Sequence, residues 1–292
     1  MFEIKNKQVL ANNVKRIDVF APNIAAKVQP GQFVSICTEQ GDERIPLTVV
    51  EADQTKQTVA LIFQEVGKTT KKLGALAINE SIFSILGPLG NPPKIEKFGT
   101  VVCVVTGVGP AQILPICRAL REAGNKVIGI IGAKTKRSLM LEAQFRLSCN
   151  KMYIATNDGS YERRAMATDI FEKILNEQKI DKVYAIGSIE MMETVCTLTK
   201  KKKVPTDVHL NPVMIDCMGM CGSCRVKIGN QIVLACLEGP VFNGHKVDFE
   251  DFKIRMKAFE ELDQWHSQKL EPLREKSGSG RLTKFLSDIL RN

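Results

Sequence analysis

The chain changes its hydrophobic pattern near residue 100. Before it, VKRIDVF (14–20), GQFVSIC (31–37), RIPLTVVEA (44–52) and TVALIFQEV (58–66) carry apolar residues at about every second position, between turn-forming residues. Alternation sends successive side chains to opposite faces, so these runs predict short strands of a small antiparallel barrel or sandwich. GPLGNPP (87–93) breaks the pattern and reads as a boundary. Beyond it the strands become unbroken apolar runs: TVVCVVTGVG (100–109), NKVIGIIGA (125–133), KMYIATND (151–158) and DKVYAIGS (181–188). Segments of helical period alternate with them: ILPICRALREAG (113–124), SLMLEAQFRLSC (138–149), MATDIFEKILNEQ (166–178) and IEMMETVCTLTKK (189–201). Strands apolar on both faces, alternating with helices, predict a doubly wound parallel sheet.

After Pro205 come a strand-like stretch, DVHLNPVMI, and a Cys-rich segment. One or two amphipathic helices follow from about 246, then a flexible KSGSGR (276–281) and an apolar-periodic LTKFLSDILRN. The expected architecture is multidomain α+β. Residues 1–97 form an antiparallel β-barrel, 98–208 a doubly wound α/β domain, 209–245 a small Cys-rich lobe and 246–292 a helical C-terminal extension.

Composition changes this picture little. The 292 residues are 44% hydrophobic and 25% charged, which is ordinary for a soluble globular protein. No apolar run is long enough to span a bilayer, and MFEIKNKQVLANNVKR lacks the apolar core of a signal peptide, so a cytoplasmic location is expected. The net charge of +9 sits in short runs, KTTKK (68–72), KTKR (134–137) and KKKK (200–203), without interleaved aromatics. That favours a solvated surface, or a docking face for an acidic partner, over nucleic-acid binding. Nine cysteines in a reducing compartment point to metal or redox chemistry rather than disulfides. Cys37, Cys103, Cys117, Cys149 and Cys196 lie in apolar segments and read as core.

The chemistry concentrates in DCMGMCGSCRVKIGNQIVLAC (216–236). Cys221 and Cys224 form C-x-x-C, and a hairpin turning at Gly229-Asn230 would bring Cys236 back beside them. Gly219 and Gly222 allow the backbone to wrap closely, with N–H groups aimed at sulfur. Plant-type [2Fe–2S] sites use C-x4-C-x2-C with a distant fourth Cys. The x4 position here is Asp216, whereas Cys217 lies at x3, so either is a candidate fourth ligand. Zinc is the alternative metal, although structural zinc usually takes two short knuckles and only one is present.

Further segments suggest nucleotides. In RIPLT, Arg44 can clamp a pyrophosphate, Pro46 sets the turn beside Leu47, and Thr48 can hydrogen-bond a flavin, although the same pattern occurs in plain β-turns. In QEVGKTTKKLG (64–74), Gln64 precedes Gly67, Thr69 and Thr70, which open a short helix whose N-terminus can hold phosphate or simply be capped. TGVGPAQILPI (106–116) offers Gly107, Gly109 and Pro110 between the first parallel strand and its helix, but Gln112 replaces the third glycine of the dinucleotide fingerprint. NDGS, with Asp158 and Gly159, and AIGSIEMM, with Gly187 and Met191, end the third and fourth strands, where such sheets bind ligands. No acid ends the second strand to read a ribose hydroxyl. Lys134, Lys136, Arg137, Arg163 and Arg164 could meet a 2′-phosphate instead. His209, His245 and His266 show no metal-ligand spacing; a structural role is the simpler reading, with His209 and His245 flanking the cysteine segment.

LNPVMIDCMGMCGSCRV…ACLEGPVFNGHKVDFE resembles the cluster domain of the small subunits of NADH-dependent ferredoxin:NADP oxidoreductases, which bifurcate electrons, and of sulfide dehydrogenases. It is more distantly similar to the electron-transfer subunit of dihydroorotate dehydrogenase. The resemblance runs over about residues 1–260. It implies a ferredoxin-reductase-like chain in which the Arg44–Thr48 and Gly67–Thr70 motifs bind FAD, and the parallel-sheet loops bind NAD(H). It also implies that Asp216, Cys221, Cys224 and Cys236 hold a [2Fe–2S] cluster. Cys217 departs from the small residue expected there. The resemblance further implies a large partner subunit, a flavoprotein with [4Fe–4S] clusters like the glutamate synthase small subunit, with ferredoxin reached indirectly. A sulfide or dihydroorotate dehydrogenase electron-transfer subunit, or a zinc-stabilised non-catalytic binding module, are the alternatives. The tail beyond Pro272 exceeds the resemblance and is expected to pack on the partner. Deleting 273–292 should weaken complex formation in co-purification, and an undiminished complex would refute that role.

Overall fold

The computed structural model describes residues 1–11 and 13–259. It divides into two compact units, Met1–Phe249 and Glu250–Asn292. In the second unit residues 250–259 are helical, with Arg255 paired to Asp251 at 3.2 Å. The linker at 276–281, the last periodic segment and His266 lie outside the described residues.

The first unit opens with β1 (Phe2–Ala11), β2 (Val14–Phe20), α1 (Pro22–Ala25), β3 (Phe33–Cys37), β4 (Arg44–Asp53), β5 (Thr58–Gln64), α2 (Lys68–Ala75), β6 (Ser81–Ile82) and β7 (Ser84–Leu89). The strands form one antiparallel sheet in the order β6-β1-β2-β5-β4-β3-β7, a near-closed barrel. Four of them match the alternating runs in the sequence. β1 does not, because FEIKNKQVLA buries only Ile4 fully and its pairing shifts register twice.

Next come β8 (Thr100–Thr106), α3 (Gly109–Glu122), β9 (Lys126–Ala133), α4 (Glu142–Ser148), β10 (Lys151–Thr156), β11 (Arg163–Arg164), α5 (Ala167–Glu177), β12 (Lys182–Ile186), α6 (Ile189–Lys201) and β13 (Thr206–His209). Then follow β14 (Arg225–Ile228), β15 (Gln231–Leu234) and β16 (Val241–Asn243). The second sheet runs β11-β10-β9-β8-β12-β13-β16, parallel except for β16. The order reverses between β8 and β12, whose carboxyl ends form the crevice typical of such sheets. β14 and β15 make the expected hairpin, turning at Gly229-Asn230. It is tied to the body by Gly229 N–H donating to the Lys246 carbonyl at 2.6 Å and by the Lys227–Asp248 ion pair at 2.8 Å.

Two local departures have physical causes. α3 begins at Gly109, earlier than its periodicity predicts, because Pro110 is preset for a helix's first turn. α4 covers only half of the expected 138–149. Leu141 adopts left-handed φ +57°, and Met140 and Leu141 are spent as a buried connector.

Side-chain direction joins the two sheets. In β5, Val59, Leu61 and Phe63 fill the barrel core, while Ile62 points to the other face. Ile17 and Val19 against Val14 in β2, and Val49 against Val50 in β4, divide in the same way. Val14, Val50 and Ile62 share one buried cluster with Ile113, Leu114 and Ile116 of α3. Each such fully buried aliphatic side chain contributes about 1.5–3 kcal/mol, so the barrel and α/β layers are welded.

The N-terminus of α3 is similarly tight. A Cβ on Gly109 would lie 2.6 Å from the Ile186 carbonyl oxygen of β12. Gly109→Val should therefore destabilise the fold by about 1–3 kcal/mol, read as a lowered denaturation midpoint.

Candidate flavin, dinucleotide and cluster sites

Two cavities open along this weld. The first, of about 360 Å³, is walled by Pro46, Leu47 and Thr48 of β4, by Gln64 and Thr70, by Val108, Ala111 and Gln112 at the start of α3, and by His209, Asn211, Pro212, Met214 and Pro240. The second, of about 800 Å³, lies at the carboxyl ends of the parallel strands, against Thr106, Gly107, Ala133, Asn157 and Gly187. Gln64, Val108, Gln112 and Asn211 line both. The Gln112 and Asn211 side-chain amides hydrogen-bond each other at 3.0 and 3.3 Å, tying α3 to the segment after β13.

Of the residues nominated for flavin, Pro46, Leu47, Thr48, Gln64 and Thr70 line the first cavity. Arg44, Gly67 and Thr69 do not line it. The Arg44 guanidinium gives Nη2 to Ser84 Oγ at 3.2 Å, while its Nη1 is buried without a partner. A buried cationic donor without a partner in the protein fits a phosphate-bearing ligand by its chemistry. Thr70 Oγ1 accepts the N–H groups of Val66 and Gly67 at 3.1 and 3.0 Å, which shapes the turn entering α2. The far end of α2 is held by residues the sequence pattern does not flag. Lys7 Nζ donates to the carbonyls of Gly74 and Leu76 at 2.7 and 2.6 Å, and Lys15 Nζ to Gly74 at 2.8 Å. Burial, then the neighbouring Lys15, pulls the Lys7 pKa down.

Of the dinucleotide candidates, Gly107, Gly187 and Met191 line the second cavity, joined by Lys134, Arg137, Ser138, Ser188 and Glu190. Gly109 and Pro110 are buried in the first turn of α3 and serve its close approach to β12. Asp158 and Gly159 stand outside the lining. The Asp158 carboxylate accepts from the hydroxyl and N–H of Ser160 at 2.7 and 3.0 Å, which hold its pKa below the usual carboxylate range. Ser188 caps α6, accepting from Met191 N at 3.3 Å, and Met192 is core.

In the cysteine loop, Asp216 is the organising anion. Its carboxylate accepts the N–H groups of Met218, Met220 and Cys221 at 3.0, 2.9 and 2.7 Å, and these bonds, that of Met218 foremost, depress its pKa. Cys217, Gly219 and Gly222 carry left-handed φ of +64°, +84° and +69°. A Cβ on Gly219 would meet Leu237 at 2.5 Å, so the loop wraps closely over the Cys236 segment. Cys221 is exposed. Burial raises its pKa, but the hydroxyl of Ser223, 3.2 Å away, and its N–H outweigh this, leaving the thiol below its ordinary value. Cys224 and Cys236 are buried together, and burial, then the Cys224 thiol, pushes Cys236 up to about 12. Cys217 is buried against Ser35 of β3, and its pKa too is raised by burial.

Three thiols and a carboxylate therefore ring one loop. Among the described residues no three of His, Cys, Asp or Glu converge on a single ion-sized point. Structural zinc usually takes two short knuckles, and here there is one, Cys221–Cys224, with Cys236 buried against Cys224 and the Asp216 carboxylate on the same loop. Three thiols and one carboxylate suit a [2Fe–2S] cluster better.

His209 closes the first cavity at the end of β13, and the pattern of the sequence does not mark it as a lining residue. It is 3% exposed, and burial lowers its pKa to about 4. Between the unfolded value of 6.5 and about 4 the unfolded chain binds a proton that the native state refuses, so stability is full above pH 6.5 and falls as pH drops through this window. His209→Phe should remove up to about 3 kcal/mol of this acid sensitivity, measured as the difference in unfolding free energy between pH 7 and pH 4.

Residues 211–248 match the model of the iron-sulfur cluster binding domain of dihydroorotate dehydrogenase B. The chain is 38% identical over 262 residues to a Thermotoga maritima dihydroorotate dehydrogenase B (NAD(+)) electron transfer subunit homolog, covering 89% of this chain and 92% of that protein. It is 31% identical to the electron transfer subunit of dihydroorotate dehydrogenase B (NAD(+)) from Desulforamulus reducens, covering 83% and 95%. Among solved structures, it superposes on a chain from the NADH-dependent reduced ferredoxin-NADP oxidoreductase, described for flavin-based electron bifurcation, with a TM-score of 0.86, 35% identity and coverage of 92% and 98%. Phthalate dioxygenase reductase, at TM-score 0.55 and 14% identity, covering 78% and 85%, shares the fold. By identity and coverage alike, the chain belongs to the dihydroorotate dehydrogenase B electron-transfer subunit family, a group of oxidoreductase subunits.

Proposed function

We propose that the chain is an electron-transfer subunit carrying electrons from NAD(H) through FAD and a [2Fe–2S] cluster to a partner flavoprotein. In this reading residues 1–97 hold FAD, 98–208 NAD(H) and 209–245 the cluster. The observation that carries it is the shared wall. One cavity is bounded by the barrel's flavin-type motif, by the dinucleotide crevice and by the segment leading into the cysteine loop. When bound, FAD exchanges a hydride with NAD(H) and single electrons with the cluster.

The chain's own residues supply placement. Thr48 and Thr70 line the first cavity, the Thr70 hydroxyl holding the turn into α2, and the unpartnered guanidinium nitrogen of Arg44 is the proposed diphosphate donor. Gln64, Val108, Gln112 and Asn211 hold the two ligands against one another. Val50, Ile62, Phe63 and Met214 keep the first cavity's wall apolar and exclude water. Asp216, Cys221, Cys224 and Cys236 are the proposed cluster ligands, with Cys217 packed on the barrel. Lys134 and Arg137 border the dinucleotide cavity, yet NAD(H) is the reading the relatives' names support.

Around the cysteine loop, Ile215, Met218, Met220 and Leu237 are exposed apolar residues. Such a patch suits a protein partner. We infer a large flavoprotein with [4Fe–4S] clusters, resembling the glutamate synthase small subunit, with ferredoxin as an indirect acceptor. A dihydroorotate dehydrogenase catalytic subunit is the second reading, favoured by the names of the sequence relatives; the co-purifying subunit distinguishes the two. No helix among the described residues is long and apolar enough to cross a membrane, and a cytoplasmic site of action is proposed.

Anaerobically purified chain should be yellow-brown, with about two irons and two acid-labile sulfides per FAD, and NADH should bleach it. Colourless, zinc-loaded protein would sink the proposal. Cys217→Ser should keep full iron content, whereas Asp216→Ala should lose most of it. The reverse result in iron and sulfide assays would make Cys217 the fourth ligand.

A further inference from the structure

The first cavity contains one polar side chain that neither the motifs nor the fold explain. His209 ends β13, where parallel pairing places it beside Ile186 of β12 and antiparallel pairing places it beside Val241 of β16. Its position is therefore rigid. The ring is 3% exposed, and Nδ1 is buried with no hydrogen-bond partner in the protein. Burial is the whole cause of its lowered pKa, with no charged side chain contributing. A buried nitrogen left unpaired carries a desolvation cost that an aliphatic residue at this place would avoid. His209 also lines the cavity, together with Pro46, Leu47 and Thr48 of β4 and with Asn211 and Pro212.

We propose that His209 is a flavin-contacting residue, whose neutral imidazole supplies from the cluster side of the cavity a hydrogen bond that is satisfied only when flavin is bound. This rests on reading the cavity as the flavin site. A neutral imidazole offers one donor and one acceptor, and the pyrimidine edge of a flavin carries both complements. The ring stands on the wall from which the chain runs on to Asp216. His209 thus acts on the flavin from the side facing the electrons' exit, separate from the β4 and α2 motifs.

The test compares the full chain with His209→Phe, His209→Asn and His209→Gln. Asn returns a polar atom near the place of Nδ1, and Gln near that of Nε2. FAD affinity is read by titrating apoprotein, the flavin absorption band records the contact directly, and apoprotein melting reports folding. His209→Phe should weaken FAD binding about tenfold or more and shift the flavin band, with apoprotein melting unchanged or raised because the orphan is gone. Asn or Gln should restore affinity and band to near those of the parent. Parent-like affinity and spectrum in the Phe variant would overturn the proposal and leave His209 a core residue. So would equal losses in all three variants with lowered melting, which would mark a packing role. Failure of the parent chain to bind FAD would overturn the reading of the cavity itself, and the proposal with it.

Discussion

The structure depends on the double burial of three barrel strands. β2, β4 and β5 send one set of side chains into the barrel core and the other, Val14, Val50 and Ile62, into the core beneath α3. Interiors pack as densely as organic crystals, so a seam of this kind has little freedom to slide. The barrel's ligand-facing end and the crevice of the parallel sheet are thereby held edge to edge. A hydride donor and acceptor must meet at close range, and a rigid weld meets that requirement without a moving part.

The same weld explains the sharing of residues between the two cavities. Val108 and Gln112 belong to the turn that opens α3, Gln64 ends β5, and Asn211 follows β13. They meet because Gly109 lets α3 approach β12 to within contact of its backbone. The segment after β13 is anchored twice more, by the Gln112–Asn211 amide pair and by Leu210 N–H donating to the Pro240 carbonyl at 2.9 Å. Asn91 N–H donates to the Gly239 carbonyl at 2.7 Å, fastening the barrel's exit to the same place. Sequence-distant pieces thus converge on the wall from which the cysteine loop departs.

That loop is built around a charge. Three backbone N–H groups converge on the Asp216 carboxylate, and the cysteines follow along the same segment. The low pKa that results keeps an anion in place at every physiological pH. Buried Cys236 and Cys217 resist ionisation in the protein alone, because burial disfavours the thiolate. A cation bound by thiolate reverses that preference, since a coordinating thiol is deprotonated outright.

Patterns of period two and of helical period are local, and so the barrel strands β2 to β5, the βα alternation, the hairpin at Gly229-Asn230 and the spacing of Cys221, Cys224 and Cys236 are legible in the order of residues alone. The family resemblance is legible there too, because those motifs are contiguous. Strand β1 escaped because it buries little and alternates poorly. Half of the segment expected as α4 became a connector because its Met and Leu side chains were needed by the core. Folding in three dimensions is what brings His209, Asn211 and Gln112 to one cavity, sets Lys7 and Lys15 at the end of α2, and leaves Asp158 outside the lining of the crevice. Each depends on which distant segments are pressed together, and local periodicity carries no record of that.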